Sequence, residues 1–358
     1  MVTNYEEIVA IVDQFDPSNY GHSRNFKSGS VSRLSPYISR GVISTRFVFD
    51  TLSKKFGDLA PFEKFIQELA WRDHWQLIWQ QTEVDHDLKR AQEDVKFHEF
   101  PIKVKDADLG IIAIDDGINE LYDTGYMHNH LRMYVASIVC NFGKYHWKIP
   151  AQWMYYHLFD GDWASNALSW QWVAGTNSNK KYIANQENVN KYFNTNDANT
   201  FLDKPYENLY PKEPIELLTS SSALVLETNL PQSNYSNNPD LPVVLYTTYN
   251  LDPNWLKGLN ANRVFLMEPS HFEKYPISDQ VLDFILKLGE NIPSLQLFVG
   301  SYEELCGQTK GQTHHFKEHP FYGHLKGLKY ERDWLSPNVE VQASFFKFWN
   351  KVKKDLSK

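Results

Sequence analysis

Three tryptophans follow one another at four-residue spacing, with an acidic residue one helical turn before the first and a basic residue directly after it. They are Trp71, Trp75 and Trp79. Glu68 and Arg72 fall with Trp71 on one broad face of a predicted helix, because residues three and four positions apart lie on the same side. Such a face can stack a planar ring and hold a charged group. The alternative is a core stripe with an exposed Glu–Arg pair, which contributes only about 0.3–0.5 kcal/mol.

A hydroxyl-rich turn precedes another predicted helix at residues 32–37, SRLSPY. Hydroxyl groups and backbone N–H groups at the beginning of a helix can bind phosphate oxygens, and Arg33 adds positive charge. The alternative is an ordinary serine N-cap followed by proline.

Two later segments combine polar side chains with helical spacing. On a helix, Asn129, Arg132 and Met133 share one side, opposite an apolar side that would pack into the core. Asp160-Gly161-Asp162 resembles the beginning of a calcium loop, but the later ligand positions do not follow, so no metal site is expected. We instead expect a turn whose carboxylates accept hydrogen bonds from Arg132 and from ligand hydroxyl groups.

The composition is that of a globular protein. Of 358 residues, 42% are hydrophobic and 22% are charged, and the aromatic share of 15% favours stacking surfaces. The net charge of −8 excludes a generally basic, nucleic-acid-coating protein but not a local basic groove. Two cysteines, Cys140 and Cys306, cannot alone form a disulfide framework or a zinc site. A cytoplasmic location without signal peptide or membrane span is therefore expected.

The predicted elements change in type along the chain. Residues 1–205 show apolar spacing of three to four and predict a helical domain. A stretch poor in apolar residues marks a linker, which we assign to residues 206–240. Residues 241–358 alternate strands with helices, which predicts a small Rossmann-like α/β domain with a parallel sheet. The predicted strands are 243–246, 263–267 and 295–299.

Four segments, in this order, resemble the flavin domain of the photolyase/cryptochrome family. They are SRLSPYISRGVIS (32–44), ELAWRDHW (68–75), TGYMHNHLRMYVAS (124–137) and FDGDWASNALSWQWVAG (159–175). The resemblance implies a monomeric, all-helical FAD-binding enzyme that acts on DNA as a cyclobutane pyrimidine dimer photolyase. Photoexcited reduced FAD would transfer an electron to the dimer, and the ring would open. The alternative is a cryptochrome-type flavin photoreceptor that signals without repair.

The resemblance also assigns cofactor residues. The FAD phosphates would be bound by Tyr20, Val31, Ser32, Arg33, Leu34 and Ser35. The rest of the cofactor site would comprise Phe65, Arg72, Arg132, Asp160, Gly161, Asp162 and Asn166. In this assignment Arg132 pairs with Asp160 across the isoalloxazine, and Asn166 faces flavin N5.

A substrate cavity is implied in the same way. The dimer would contact Glu68, Trp71, Asn129, Met133 and Trp172. Two tryptophan rings would stack on the splayed bases, while Glu68 would bind the dimer edge. Relatives that repair the (6-4) photoproduct carry histidines in place of Asn129 and Met133. DNA phosphates would meet Arg24 and, less strongly, His130.

Trp170 and Trp147 match the inner two members of the family's electron-transfer chain, which photoreduces the flavin. No tryptophan lies between residues 94 and 108, where the outer member is expected. The route would therefore end at Trp147, or continue through one of three other aromatic residues. These are Trp153, Tyr155 and Tyr156.

The domain order departs from the family pattern. Members ordinarily begin with an α/β antenna domain, whereas here the flavin segments come first. Residues 241–358 resemble a compact version of that antenna domain, which implies a circular permutation. The alternative is an unrelated α/β domain. A second, antenna chromophore of unknown identity is a further implication.

Overall fold

The structure is a computed structural model that describes residues 1–358. Its helices are α1 Tyr5–Gln14, α2 Tyr20–Ser23, α3 Ser35–Ser39, α4 Thr45–Phe56, α5 Glu63–Gln81, α6 Ile102–Lys105, α7 Ile112–Thr124, α8 Asn129–Ser137, α9 Lys148–His157, α10 Trp163–Ala174, α11 Gln186–Phe193, α12 Pro269–Lys274, α13 Asp279–Gly289, α14 Tyr302–Gln308 and α15 Phe345–Leu356. A π-helical segment, Ile138–Phe142, follows α8. The strands are β1 Phe100–Pro101, β2 Ser221–Ser222, β3 Val243–Tyr246, β4 Asn262–Met267, β5 Leu295–Val299, β6 His314–Lys317 and β7 Leu328–Tyr330. None of the helices combines the length and the hydropathy that crossing a bilayer requires.

Two compact units share the chain. The first consists of residues 1–17, 32–80 and 227–358, and the second of residues 18–31 and 81–226. Their limits differ from the boundaries predicted at 205 and 240, because residues 1–17 and 32–80 group with residues 227–358 rather than with the other helices.

The predicted linker is ordered along both of its halves. In the second unit, β2 pairs with β1, and the hydroxyl group of Tyr145 donates to the carbonyl oxygen of Leu218 at 2.8 Å. In the first unit, the N–H group of Asn234 donates to the carbonyl oxygen of Leu297 in β5 at 3.0 Å. The expected linker therefore divides near residue 226, and each half packs with a different unit.

A parallel five-stranded sheet lies in the first unit. The strand order is β5-β4-β3-β6-β7, so the chain begins at the middle strand and adds strands outward on both sides. Every residue of β3 and β4 is buried, as expected where both faces of a parallel sheet are covered. The three predicted strands are confirmed, with β4 beginning one residue earlier. Strands β6 and β7 were not predicted, because they are short and lack a continuous apolar run.

The tryptophan-bearing helix α5 also belongs to the first unit, apart from its last residue. It contains no glycine or proline, so nothing interrupts its backbone hydrogen bonds. Its buried side chains are Phe65, Ile66, Leu69, Ala70, Asp73, His74 and Gln76. The three tryptophans are only half-buried, so they do not form a fully buried core stripe.

In the second unit, α8 packs against α7 and α10, and α10 also packs against α9. Gly125 ends α7 with a φ of 66°, a left-handed conformation that glycine adopts at little cost. A Cβ atom at this position would lie 2.4 Å from the ring of Phe159. The carbonyl oxygen of Gly125 accepts from the N–H group of Phe159 at 2.9 Å. This close approach brings the start of α8 beside the turn that precedes α10.

Asp73 joins three segments of the first unit. Its carboxylate accepts hydrogen bonds from the Thr45 hydroxyl group at 3.0 and 3.1 Å and from the Leu335 N–H group at 2.7 Å. Burial raises the pKa of Asp73 to about 6, although these bonds and the nearby positive charges of Arg332 and Arg72 oppose the shift.

We compare the free energy of unfolding of Asp73→Asn with that of the wild type. We expect this difference to favour the variant more at pH 7 than at pH 4. Because the pKa is raised from 3.8 to about 6, the carboxyl group favours the folded state while protonated, and this contribution is lost as the pH rises through 6. The full shift corresponds to about 3 kcal/mol. Urea unfolding of both proteins at the two pH values measures the difference. An equal difference at both pH values would contradict the burial argument.

Candidate functional site

An ion pair joins α8 to the turn before α10. The two terminal nitrogens of Arg132 donate to the two carboxylate oxygens of Asp160, each at 3.0 Å. The Nε atom of Arg132 donates to the carbonyl oxygen of Met127 at 2.9 Å. The two side chains are 19% and 7% exposed, so the pair is largely removed from water. The predicted pairing of Arg132 with Asp160 is confirmed.

The beginning of α10 is fixed by the residues that follow this ion pair. Asp162 is the N-cap of α10 and accepts from the N–H group of Ser165 at 2.7 Å. The amide of Asn166 donates to the carbonyl oxygen of Ala151 in α9 at 2.7 Å. The N–H group of Gly161 donates to the carbonyl oxygen of Leu158 at 3.0 Å. These hydrogen bonds hold the side chains of Asp162 and Asn166 in position. Their contacts with a flavin stay predictions.

Side chains assigned to the dimer in this unit lie outside the apolar core. Asn129 is the exposed first residue of α8, and Met133 one turn later is half-buried. Trp172 of α10 is 38% exposed, whereas Trp163 and Trp170 of the same helix are buried. The Trp172 ring lies 5.7 Å from that of Tyr182. A helix that only filled the core would not leave this large ring in solvent.

The charged residues of α5 have partners within the first unit. The Nζ atom of Lys64 lies 3.4 Å from the Glu68 carboxylate, and these side chains are 39% and 33% exposed. Arg72 donates to the hydroxyl group of Ser39 at 2.7 Å. Ser39 lies in the SRLSPYIS stretch, so two of the segments singled out in the sequence meet here.

Trp71 is stacked on a residue that the sequence pattern did not indicate. Its ring lies parallel to that of Phe345, with centroids 3.5 Å apart and an interplanar angle of 9°. Phe345 begins α15, and Trp349 and Lys353 of this helix both donate to the Glu63 carboxylate at the beginning of α5. One face of the Trp71 ring is therefore covered by α15.

The hydroxyl-rich turn leads into a helix of five residues only. The helix begins at Ser35 with Leu34 as its N-cap, and no side chain caps it, so the serine N-cap alternative is wrong. The hydroxyl group of Ser32 accepts from the Leu34 N–H group at 3.4 Å. Arg33 is exposed and has a φ of 52°, a conformation that costs a non-glycine residue free energy and is enriched at functional sites.

The remaining cofactor candidates differ in burial. In the first unit Phe65 is 3% exposed, and its ring lies 4.9 Å from that of Phe15. In the second unit Tyr20 begins the short helix α2 and is half-buried, as is Val31. The assignment of these three residues to the cofactor stays a prediction.

The two predicted electron carriers lie at neighbouring helices. Trp147 directly precedes α9 and is fully buried, and Trp170 in α10 is 2% exposed. The indole N–H group of Trp147 donates to the carboxylate of Asp87 at 2.6 Å. Nothing in the sequence indicated Asp87, because no spacing rule connects residues so far apart in the chain.

The two predicted DNA contacts differ in charge. Arg24 donates to the carbonyl oxygen of Gly21 at 3.0 Å, and its guanidinium lies 6.0 Å from the Tyr20 ring. The His130 ring stacks on Tyr134 at 4.5 Å, and burial lowers the pKa of His130. A neutral imidazole at pH 7 offers no charge to a phosphate, so Arg24 is the better candidate.

Side chains fill the sheet edge where an antenna pigment could be sought. In parallel sheets, ligands commonly bind at the carboxyl ends of the strands where the strand order reverses, here between β3 and β6. Tyr249 follows β3 and stacks on His319 after β6, at 4.3 Å and 12°. The buried Arg40 guanidinium lies 5.6 Å from the Tyr249 ring. A pigment would therefore have to bind elsewhere or displace this stack.

Comparison with known proteins finds one family model and several curated relatives that match part of this chain. Residues 65–204 match the model of the FAD binding domain of DNA photolyase. A deoxyribodipyrimidine photo-lyase of Alkalihalophilus pseudofirmus is 30% identical over 163 residues, 44% of this chain and 34% of that protein. Its counterpart of Streptomyces griseus is 32% identical over 169 residues, 45% of this chain and 35% of that protein. The match thus spans about a third of the length of these curated relatives.

Among solved structures, a Synechocystis cryptochrome aligns with a TM-score of 0.48 at 22% identity. The alignment covers 53% of this chain and 43% of that chain.

We expect Arg132→Met to destabilise the protein by about 3–5 kcal/mol, because it leaves the buried Asp160 carboxylate without its partner. The double variant Arg132→Met/Asp160→Leu should recover most of this loss, since the unpaired charge is gone. Lys64→Met removes the exposed partner of Glu68 and should cost less than about 1 kcal/mol. Urea unfolding compares the three variants. A single Arg132 variant as stable as the wild type would contradict the importance of the ion pair.

Proposed function

Because this chain belongs to the photolyase/cryptochrome family, we propose that it binds FAD and repairs cyclobutane pyrimidine dimers in DNA under light. The observation that carries the proposal is the buried Arg132–Asp160 pair, together with the side chains assigned to the dimer on α8 and α10, two helices that pack against each other. Because the pair is neutral overall, a polar ring can bind against it without burying a net charge. The hydrogen bonds between Arg132 and Asp160 already hold both side chains in position.

The chemistry of these donors fits a flavin. Bound FAD, once reduced and excited by light, would supply the electron that opens the cyclobutane ring. Arg132 and Asp160 would orient the isoalloxazine, and Asn166 would present its amide, fixed by Ala151, to the flavin ring. Asp162 keeps α10 in place through its cap bond and would contact the ribose side. The roles assigned to Phe65, Arg72 and residues 32–35 remain predictions from the family resemblance.

The substrate side chains are of the types that a flipped pair of bases requires. Trp172 presents a partly exposed aromatic face on which a base can stack. Met133 offers a polarisable surface, and the amide of Asn129 can both donate and accept hydrogen bonds at a base edge. A photoreceptor that only signals has no evident use for this combination. The retained pocket therefore favours repair over the cryptochrome-type alternative.

We expect the purified protein to remove cyclobutane dimers from DNA under illumination and not in the dark. Glu68→Ala should lower the repair rate about 10- to 100-fold while FAD stays bound, because a lost hydrogen bond to a charged group costs about 1.5–3 kcal/mol. Dimer loss is measured by chromatography and bound FAD by absorption.

The matched control is Glu63→Ala, which changes a carboxylate on the same helix that is engaged with α15. It should repair as the wild type does. A wild-type preparation without flavin, or with flavin but without light-driven dimer loss, would contradict the proposed function. Equal loss of flavin and repair in Glu68→Ala would contradict the assignment of Glu68 to the substrate.

We expect Trp170→Phe to slow light-driven reduction of the bound flavin, because phenylalanine is a much poorer electron donor than tryptophan. Trp163→Phe, another buried tryptophan of α10, is the control and should leave the rate unchanged. The absorption of the flavin under continuous blue light, with a thiol present, measures the rate. Equal rates in the two variants would remove Trp170 from the route.

A further inference from the structure

The environment of Trp147 differs from that of a tryptophan that only fills a core. Its ring is fully buried, and its Nε1 atom lies 2.6 Å from Oδ1 of Asp87. This is a short, charge-assisted hydrogen bond. Oδ2 of the same carboxylate accepts from the N–H group of Gln92 at 2.8 Å, which fixes its orientation. The Asp87 side chain is 20% exposed, so it connects a buried indole with solvent.

Two other candidate carriers lack such an acceptor. The Nε1 atom of Trp170 is buried and donates to no group of the protein. The Nε1 atom of Trp153 donates to the hydroxyl group of Tyr122 at 3.1 Å. That hydroxyl group itself donates to the carbonyl oxygen of Lys105, and burial raises the pKa of Tyr122 to about 12. A neutral phenol is a poor base, whereas a carboxylate is a good one.

We propose that Asp87 is the proton acceptor of Trp147 and makes Trp147 the terminal electron donor of the photoreduction route. The inference rests on the proposed function, which takes Trp170 and Trp147 as the inner members of that route. The inference goes beyond the proposed function because it assigns to a carboxylate the role that an outer tryptophan would otherwise have.

The step is a coupled loss of an electron and a proton. An electron passes from Trp147 to oxidised Trp170, which restores Trp170 and leaves an indole radical cation. The Nε1–H bond then breaks, the proton forms an O–H bond with Oδ1 of Asp87, and a neutral indolyl radical remains. A thiol in solution donates a hydrogen atom to that radical, and the carboxyl group returns its proton to water.

Loss of the proton gives the electron transfer its direction. Oxidised Trp170 keeps its N–H proton because no base accepts it, so it regains an electron readily. Oxidised Trp147 loses its proton to Asp87, and the neutral radical is a much weaker oxidant than the radical cation. Return of the electron is therefore slowed before the thiol reacts. The absence of a tryptophan between residues 94 and 108 then does not prevent stable photoreduction.

A path from Asp87 to solvent is visible in the structure. The Nε2 atom of His146 lies 3.6 Å from Oδ1 of Asp87, and the His146 side chain is 24% exposed. Burial lowers the pKa of His146, which keeps a neutral imidazole at pH 7 that can take a proton. Its ring stacks on that of the exposed His98 at 5.5 Å. The proton can therefore leave through Asp87 itself or through this imidazole pair.

A purely structural role for Asp87 has a counterpart in the same unit. Trp163 is also fully buried, and its Nε1 atom donates to Oδ1 of Asp85 at 3.0 Å. Buried tryptophans usually find such an acceptor. Trp163 is not assigned to the electron route, so Asp85→Asn makes the same chemical change at a pair expected to be only structural.

The first test does not depend on flavin. In full-length protein with ¹⁵N-labelled tryptophan, the Trp147 indole resonance is identified by its loss in Trp147→Phe. Asp87→Asn should move this resonance upfield, because an amide oxygen is a weaker acceptor than a carboxylate, and Asp85→Asn should move a different one. An unmoved Trp147 resonance in Asp87→Asn would overturn the inference.

The second test follows light-driven reduction with a thiol present. Asp87→Asn should lower the rate by about 100-fold, the lower end of what a positioned proton acceptor contributes. Transient absorption should show an indole radical cation in place of the neutral radical. Asp85→Asn should behave as the wild type, and Asp87→Glu should recover part of the rate. Equal rates in Asp87→Asn and the wild type would overturn the inference.

Wild-type protein in D₂O gives a test that needs no variant. The conversion of radical cation to neutral radical should be slower than in H₂O, and an unchanged rate would overturn the inference.

The outcomes of these experiments also distinguish the role of Asp87 from the proposed repair function. Normal photoreduction that depends on Asp87, without dimer repair, would contradict the repair function and support the role of Asp87. Dimer repair together with photoreduction that does not depend on Asp87 would support the repair function and contradict the role of Asp87.

Discussion

The candidate site of the second unit depends on one ion pair that is almost removed from water. Arg132 and Asp160 are connected by two parallel hydrogen bonds and are 19% and 7% exposed. Separating these charges in a medium of low polarity is costly, so α8 and the turn before α10 cannot move independently. The side chains of Asn129, Met133 and Trp172 inherit their positions from these elements.

Much of the architecture could be read from local patterns. Apolar spacing predicted the helices, and runs of β-branched and aromatic residues predicted β3, β4 and β5, since these signals are contained within single elements. The hydrogen bonds from Arg132 to the carboxylate of Asp160 were expected from the polar side chains of the two segments and are confirmed by distances. The interleaved composition of the two units was not predicted, because it depends on which distant segments pack together. The residues 206–240 look like a linker by composition, yet they are held by hydrogen bonds that composition does not encode.

The partners missed in the sequence share one physical origin. Phe345 reaches Trp71, and Asp87 reaches Trp147, through tertiary contacts between segments far apart in the chain. No spacing rule connects either residue with its partner, because each contact joins segments that are distant in the sequence. Local spacing identified the aromatic residues, but their chemistry depends on these neighbours. The sequence therefore identified the tryptophans, whereas the neighbour of each ring became known only from the structure.

The interleaved composition of the two units has a consequence for synthesis on the ribosome. The first unit needs residues 1–17, 32–80 and 227–358, whereas the second is complete once residue 226 has been made. Chains grow at about 5–20 residues per second, so the helices of residues 32–80 wait on the order of tens of seconds for the sheet of their own unit. During that interval α5 would expose its apolar side. We expect a nascent chain in which the second unit can close before the first.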